Sequence, residues 1–319
     1  MKTLSSSLLL VSLAAVGLST ARAKIDRTVE KTFTVQPGGT LNVGTSGGNI
    51  TVEVASGDTV KVTATEHIRA SSEADADEIL KKLDLTIEQK GADVTATAEY
   101  EQGTMGFHFG SWPPVQVDFV VSVPAKYSAE LKTSGGAIVV GDLGGTLVAH
   151  TSGGGVRLGK ISGRIDASTS GGNMALVSGG DDVRLSTSGG NLTLGSIAGS
   201  GDVHTSGGDI SISAIGGPLN ARTSGGNIKA AFTGPLKGDC SLSTSGGRVV
   251  VSVPAGANFN LDASTSGGEV RADGVTITVA HGGLRKSHLA GTVGTGGPQL
   301  RMRSSGGNVI LETGTLASR

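Results

Sequence analysis

One tetrapeptide, Thr-Ser-Gly-Gly, recurs along the chain and constrains its fold more than any other feature. Nine copies and one Ser-Ser-Gly-Gly variant begin at Thr45, Thr133, Thr151, Thr169, Thr187, Thr205, Thr223, Thr244, Thr265 and Ser304. From Thr133 to Thr223 the spacing is 18 residues at every step, and it then becomes 21, 21 and 39. A short turn repeated at a fixed period indicates one structural unit stacked on copies of itself. The sequence therefore predicts an all-β protein, a β-solenoid of about 18-residue coils.

Apolar residues alternate on both sides of each tetrapeptide. In the coil of Thr187, Val183 and Leu185 come four and two residues before the threonine, and Leu192 and Leu194 come five and seven after it. Period-two alternation indicates a strand with one buried face. Each coil is therefore predicted to contain two short strands, and the stack to be a flattened tube of two sheets.

The corners of the predicted coil have their own residue types. We expect Ser-Gly-Gly to turn the chain, because glycine adopts positive φ without steric penalty. Stacked asparagines just after the glycines are expected to pair as an amide ladder. Stacking in sequence order predicts a rod on the order of 40 Å from Thr133 onward. The asparagines, and the apolar residues expected to fill the opposite corner, are Asn173, Asn191, Asn227 and Asn308, and Leu143, Ile161, Ile197 and Ile215.

The first 23 residues have the pattern of a cleavable secretory signal. Lys2 gives a basic start, residues 8–18 are apolar, and Ala21 and Ala23 supply small residues for cleavage before Lys24. No later stretch approaches 18 consecutive apolar residues, so no membrane span is predicted. We expect export to the periplasm, the cell surface or the medium.

Residues 24–124 read as an N-terminal β-rich cap domain and residues 125–319 as the β-solenoid repeat domain. The cap begins with a repeat-like unit, and its segment Ser72-Glu73-Ala74-Asp75 predicts the start of one short helix with Ile79, Leu80 and Leu83 on one face. The strands expected here are 60–64, 85–88, 94–100 with a turn at Gly91, and 115–123.

Composition excludes some classes of function. The chain has 26 basic and 27 acidic residues, a formal net charge of −1, which argues against nucleic acid as a partner. Its single cysteine, Cys240, excludes an intramolecular disulfide.

Further segments recur or stand out beside the tetrapeptide. They are the Thr-Ser-Gly-Gly-Asn-hydrophobic units, the hairpin sequence Leu85-Thr86-Ile87-Glu88-Gln89 with Val94, Val-Pro-Ala at Val123 and Val253, and Gly296-Gly297-Pro298-Gln299-Leu300 before Ser304-Ser305-Gly306-Gly307. In these segments the chain resembles the bacterial DUF4097 family. The resemblance covers essentially all of the chain after residue 23. It implies a β-solenoid at the envelope or cell surface. Members of the family carry an adhesin label, without a defined binding or catalytic motif.

Two sequence motifs suggest chemistry but have simpler structural explanations. Residues 44–48 fit Gly-x-Ser-x-Gly, yet a hydrolase elbow needs a following helix with a histidine and an acid, and the same Ser-Gly-Gly occurs in all ten repeats. The slot that holds aspartate in calcium β-rolls is mostly asparagine here, so no calcium spine is expected, although the Asp181–Asp182 pair leaves a single ion open.

Two sets of side chains in equivalent coil positions have residue types that suit metal binding or catalysis. His150 and His204 are three coils apart, about 14 Å, too far to share an ion. Asp166 and Asp202 are about 10 Å apart, but Arg184 lies between them in register, which predicts a structural charge ladder. The sequence predicts no catalytic residue, cofactor or metal.

The best candidate for a binding patch lies where the period breaks. It combines an aromatic loop with a basic excursion: Phe107, His108, Phe109 and Trp112, and Arg285 and Lys286. Tryptophan stacks on sugar rings, and cationic side chains bind anionic groups. The hypothesis is a non-enzymatic exported β-solenoid, an adhesin or a structural or ligand-binding envelope component, with an envelope glycan or surface protein as partner. The alternatives are a polysaccharide-active enzyme and a scaffold or sensor domain for another envelope protein.

Overall fold

The computed structural model describes residues 23–101 and 114–314. These residues form 27 strands and one helix, α1 (Glu73–Leu80). The strands are β1 (Ala23–Thr34), β2 (Thr40–Thr45), β3 (Ile50–Ala55), β4 (Thr59–Ala70), β5 (Leu83–Lys90), β6 (Asp93–Tyr100), β7 (Val115–Pro124), β8 (Ser128–Thr133), β9 (Ile138–Val140), β10 (Leu147–Thr151), β11 (Val156–Ile161), β12 (Ile165–Thr169), β13 (Met174–Gly179), β14 (Val183–Thr187), β15 (Leu192–Ile197), β16 (Gly201–Thr205), β17 (Ile210–Ile215), β18 (Leu219–Thr223), β19 (Ile228–Phe232), β20 (Cys240–Thr244), β21 (Val249–Val253), β22 (Phe259–Thr265), β23 (Val270–Asp273), β24 (Ile277–Arg285), β25 (His288–Val293), β26 (Gln299–Ser304) and β27 (Val309–Thr313).

The strands lie in two long sheets. Thirteen strands follow the order β1-β4-β7-β3-β9-β11-β13-β15-β17-β19-β21-β27-β23, and fourteen follow β24-β25-β22-β26-β20-β18-β16-β14-β12-β10-β8-β2-β6-β5. Each regular coil gives one strand to each sheet, paired in parallel with the coils on either side. Antiparallel pairs occur only toward the ends of the described stack. The all-β solenoid is confirmed, and its 14-strand sheet is about 60 Å long.

The core lies between the two sheets. The predicted apolar positions before and after each threonine are buried; in the coil of Thr187 they are Val183, Leu185, Leu192 and Leu194. The four apolar residues predicted to fill the opposite corner are also buried, and two of them, Leu143 and Ile161, form an isolated bridge. Burying one Leu or Ile side chain contributes about 1.5–3 kcal/mol, so the stack is held mainly by this repeated apolar contact.

The threonine of each tetrapeptide is buried and links neighbouring coils. Thr205 Oγ1 donates to the carbonyl oxygen of Gly190 at 2.9 Å and accepts from the backbone N–H of Gly208 at 3.3 Å. The same pair of bonds recurs along the stack; Ser304 takes the position in its coil, donating to Gly247. Buried hydroxyls need such partners, because leaving one unpaired costs about 1–3 kcal/mol.

The predicted reason for the glycines is wrong. None of the tetrapeptide glycines has positive φ, whereas Gly91, in the predicted β5–β6 turn, does. Close stacking requires the second glycine: a Cβ on Gly190 would overlap the carbonyl oxygen of Gly172 in the preceding coil. The first glycine has more room, since a Cβ on Gly189 would lie 3.6 Å from the carbonyl oxygen of Gly171.

The asparagine ladder exists, but its bonds differ from those predicted. Asn173 Oδ1 accepts from the backbone N–H of Asn191 at 2.8 Å, and Asn191 Oδ1 accepts from the N–H of Asp209 at 2.8 Å. Asp209 Oδ1 accepts from Asn227 in the same way. The side-chain oxygen therefore accepts from the backbone N–H of the next coil, and in one step the stacked amide Asn227 Nδ2 also donates to Asp209 Oδ1, at 3.1 Å. A carboxylate oxygen accepts these bonds as an amide oxygen does, which explains why aspartate also fits the position.

The coils at the two ends do not follow sequence order, which corrects the prediction of sequential stacking. The last coil, β26 and β27, lies between the coil of β20 and β21 and the coil of β22 and β23. At the other end β2 and β3 lie between β8 and β9 on one side and β6 and β7 on the other. Each terminal coil is therefore covered by strands from an excursion of the chain.

The N-terminal segment contains the predicted helix and hairpin. Ser72 caps α1, its side chain accepting from the backbone N–H of Asp75. The helix ends at Leu80, so Leu83 lies in β5 rather than on the helix, contrary to the prediction. Phe119 and its alternating neighbours on β7 are buried. Both sheets run across the predicted boundary at residue 124; the division into two domains stays a prediction.

Candidate binding surface

The aromatic half of the predicted patch lies outside the described residues. Phe107, His108, Phe109 and Trp112 belong to the segment between β6 and β7. In this coil, Ala98 of β6 is in register with Thr45, and Phe119 of β7 is in register with Ile50. Ala98 and Phe119 therefore hold the positions that flank a Ser-Gly-Gly corner in an ordinary coil.

The basic half of the patch lies at the tip of the β24–β25 hairpin. Lys286 Nζ is 2.8 Å from Glu269 Oε1, and the hydrogen bonds of Lys286 and Arg271 hold the pKa of Glu269 below its ordinary value. The carbonyl oxygen of Lys286 accepts from Val270 N at 2.9 Å, and that of Ser287 accepts from Thr265 N at 2.9 Å. The hairpin tip thus covers the corner of the coil of β22 and β23. Arg285, next to Lys286 in the hairpin, is exposed.

The strands that precede the two halves of the predicted patch lie toward opposite ends of the stack. Ten strands of the 14-strand sheet separate β25 from β6, where the aromatic segment begins. At one strand spacing per step, β25 and β6 are about 50 Å apart. The two strands that lead into the segments are thus too far apart to border one small-ligand pocket.

The predicted charge ladder is confirmed on the outer face of the 14-strand sheet. Arg184 Nη1 is 3.8 Å from Asp166 Oδ2, and Arg184 Nε is 3.6 Å from Asp202 Oδ2. The three residues are register partners on β12, β14 and β16. The arginine bridges the two carboxylates along the stack, and exposed pairs of this kind contribute at most about 1 kcal/mol.

The other chemical candidates occupy structural positions. Ser46 of the Gly-x-Ser-x-Gly match is exposed in a turn between two strands, β2 and β3, rather than between a strand and a helix. His150 Nδ1 is 2.7 Å from Ser168 Oγ, and His204 lies three strands farther along. Asp182 accepts from Ser200 Oγ at 2.6 Å. Within residues 23–101 and 114–314, no group of three or more His, Cys, Asp or Glu could hold a metal ion.

A group of arginines that the sequence analysis did not identify lies on the same outer face. Arg222 is in register with Ser243, and Ser243 with Arg303; Ser241 is in register with Arg301. The short serines of β20 therefore run between long side chains on β18 and β26. We call this furrow the arginine cleft, formed by Asn220, Arg222, Ser241, Ser243, Arg301 and Arg303.

The arginine cleft follows from the order of the strands. Sequence spacing places residues in equivalent columns, but Arg301 and Arg303 become neighbours of β20 only because the last coil is inserted there. The one sequence feature that pointed to this site is that Arg222, Arg301 and Arg303 occupy the outward-facing positions of their predicted strands.

Together the fold and this surface define a parallel β-solenoid with covered ends and polar outer faces. The family model described as Toastrack DUF4097 matches residues 48–312. The chain belongs to the DUF4097 family. No curated protein matches the chain. In the part of the chain that the structure describes, no helix is long and apolar enough to cross a membrane.

Several solved structures are similar to the chain at low sequence identity. A candidate adhesin from Bacteroides fragilis is 10% identical, with 90% of this chain and 97% of that chain covered and a TM-score of 0.35. A candidate adhesin from Parabacteroides distasonis is 15% identical, with 90% and 97% covered and a TM-score of 0.34. A candidate lipid-binding protein from the same species is 13% identical, with 88% and 96% covered and a TM-score of 0.31.

Proposed function

We propose that this chain is an exported, non-enzymatic β-solenoid of the cell envelope that binds a glycan or a surface protein through its outer faces. The observation that carries the proposal is the long outer face of the 14-strand sheet. Its outward columns alternate with buried apolar ones, so its exposed residues can vary without disturbing the core. A rigid, extended polar surface of this kind suits recognition of an extended partner.

The known side-chain contacts also favour a binding role. Arg184 neutralises the carboxylate pair that would otherwise resemble an inverting glycosidase site. The residues that fit a nucleophile elbow form a turn between strands. If the chain is displayed at the cell surface, the proposed binding role is that of an adhesin. Two of the similar structures are candidate adhesins.

Export is tested by expressing the full chain and a version lacking residues 2–23 in a bacterial host. The full chain should lose about 23 residues, by mass spectrometry, and leave the cytoplasm, because residues 1–23 have the pattern of a secretory signal. The shortened version should stay in the cytoplasm. Equal cytoplasmic retention of both would contradict the proposal.

Binding is tested with the chain beginning at Lys24, offered to envelope fractions and to a panel of polysaccharides. We expect saturable binding without turnover, and weaker binding for Trp112→Ala or Arg285→Ala if either end of the stack contributes. Turnover of a polysaccharide that is lost on changing Asp166 or Asp202 to Asn would replace the binding role with an enzymatic one.

A further inference from the structure

The arginine cleft carries cavities on the outer face of the 14-strand sheet. Two cavities lie along it, of about 290 Å³ beside Asn220, Arg222 and Arg301, and about 370 Å³ beside Ser243 and Arg303. Arg222 and Arg303 stand on opposite sides of β20, two strand spacings or about 10 Å apart. Both arginines are exposed, so the cleft between them is open to solvent.

The charges of the cleft are unbalanced toward positive. Arg301 Nε and Arg303 Nη2 share one carboxylate oxygen, Asp262 Oδ2, at 3.4 and 3.2 Å. Burial raises the pKa of Asp262, but the hydrogen bonds from Arg303 and Arg301 outweigh it and hold the pKa below its ordinary value. Among the described residues, Arg222 has no ion-pair partner. Asp239, the acid that lines the smaller cavity, accepts from the backbone N–H of Gln299.

The cleft also offers many groups that bond to hydroxyls. The larger cavity is lined by side-chain hydroxyls from neighbouring coils: Thr223, Ser243, Thr244, Ser245, Ser264, Thr265, Ser266, Ser304 and Ser305. Its threonines and Ser304 are buried in the corner ladder, but Ser245, Ser266 and Ser305 are exposed. Asn220 in the smaller cavity donates to Asp202, and its buried Oδ1 has no hydrogen-bond partner in the described chain.

These features together select one class of ligand. Guanidinium groups bind carboxylate and sulfate oxygens through paired hydrogen bonds, and serine hydroxyls exchange hydrogen bonds with sugar hydroxyls. Single-stranded nucleic acid is bound chiefly by aromatic stacking and a broad positive field. The described residues lining the two cavities include no aromatic side chain, and the chain has a net charge of −1.

We infer that the arginine cleft binds an acidic polysaccharide, with Arg222, Arg301 and Arg303 holding its anionic groups and the corner serines bonding to its hydroxyls. This inference rests on the proposed binding function and specifies its ligand class. Uronic acid carboxylates and sulfate esters share the required chemistry. Asp262 competes with the ligand for Arg301 and Arg303.

The experiment measures binding of the chain beginning at Lys24 to polygalacturonate, heparin, neutral dextran and single-stranded DNA at 0.15 M salt. We expect binding to polygalacturonate or heparin, and the stronger of the two identifies carboxylate or sulfate as the preferred group. Arg222→Gln should weaken that binding about tenfold, because it removes one charge-assisted contact worth about 1.4 kcal/mol. Asp262→Asn should strengthen it, because Arg301 and Arg303 lose their competing carboxylate.

The matched control is Arg157→Gln, an exposed arginine on the other sheet. It should change the affinity less than twofold, and circular dichroism should show all variants folded. Equal weakening by Arg157→Gln, equal binding of dextran, tighter binding of DNA, or weaker binding by a folded Asp262→Asn variant would overturn the inference. If the binding follows the predicted pattern but the export experiment fails, the ligand assigned to the arginine cleft is supported and the envelope function is refuted. Failure of the inference and failure of the proposed function are therefore distinguishable.

Discussion

At the scale of single residues, the corner of each coil depends on contact between coils. The buried threonine satisfies backbone groups in its own coil and in the preceding one, as Thr205 does with Gly208 and Gly190. The second glycine allows the carbonyl oxygen of the preceding coil to approach. The first glycine does not face the same restriction, so two adjacent identical residues have different roles.

The two adjacent glycines provide a matched test. Gly190→Ala should lower the free energy of unfolding by about 2–3 kcal/mol, because its Cβ would overlap the carbonyl oxygen of Gly172 and force the coils apart. Gly189→Ala, with its Cβ 3.6 Å from the carbonyl oxygen of Gly171, should change it by less than about 0.5 kcal/mol. Urea unfolding followed by circular dichroism measures both. Similar losses for the two variants would contradict this account.

At the scale of elements, β4 carries an acid on its core-facing side. Glu66 is buried in line with Ala64 and Ile68, and burial raises its pKa although nearby Arg27 acts in the opposite direction. Arg27, in register with Glu66 on β1, also forms ion pairs with Glu73 and Asp77 of α1 at 2.8 and 2.7 Å. The strand therefore keeps one polar group where its alternation predicts an apolar one.

This burial predicts a pH dependence. A carboxyl whose pKa is raised by folding favours the protonated state, so stability falls as the pH rises from its unfolded pKa, about 4.3, through the raised value. Glutamine does not ionise, so the Glu66→Gln variant should not lose this stability as the pH rises. The free energy of unfolding of the variant minus that of wild type should therefore increase from pH 4 to pH 7.5. Urea titrations at both pH values measure the difference. A constant difference would show that Glu66 does not titrate differently in the fold.

Glu30→Gln is the control of opposite sign. Hydrogen bonds from Lys61 and Thr63 lower the pKa of Glu30, so its contribution is present above the ordinary pKa of glutamate and is lost as the pH falls. The Glu30→Gln variant should be less stable than wild type at pH 7.5, and its free energy of unfolding should approach that of wild type in acid. Parallel behaviour of the two variants would exclude local burial as the cause.

At the scale of the whole molecule, both ends of the stack are covered by excursions of the chain. The strands beyond the terminal coils include β1, β4 and β5 at one end and β24 and β25 at the other. Exposed edges of long sheets pair readily with other chains. Because these excursion strands lie beyond the terminal coils, the edges of the 14-strand sheet are β24 and β5 rather than strands of the regular parallel coils. The insertion of the coil of β26 and β27 also creates the arginine cleft.

Cysteine pairs test the order of the coils. Ser243 and Arg303 are register partners, whereas Ser243 and Ser264 are separated by β26 and lie about 10 Å apart. A disulfide needs Cα atoms within about 7 Å, so Ser243→Cys with Arg303→Cys should cross-link on oxidation and Ser243→Cys with Ser264→Cys should not. Non-reducing mass spectrometry detects the products. The reverse pattern would indicate sequential stacking; Cys240 is buried and does not compete.

The coil was predictable because its signals are local. The alternation around Thr187 gives the buried faces, and Ser72 and Gly91 give a helix start and a hairpin turn through short-range chemistry. The role of the second glycine was not predictable, because it depends on an oxygen atom 18 residues away in sequence. The arginine cleft was not predictable, because its walls come from coils that are not consecutive.

The β-solenoid, its period and the residues that face the core can all be read from the sequence, because period-two alternation and the repeated corner act within each coil. Which coils are neighbours at the ends is set by the tertiary packing. Every coil presents nearly the same pattern of strands to the next, so the pattern allows several stacking orders, and the packing of the chain's excursions selects one. That selection places Arg301 and Arg303 across Ser241 and Ser243 from Arg222.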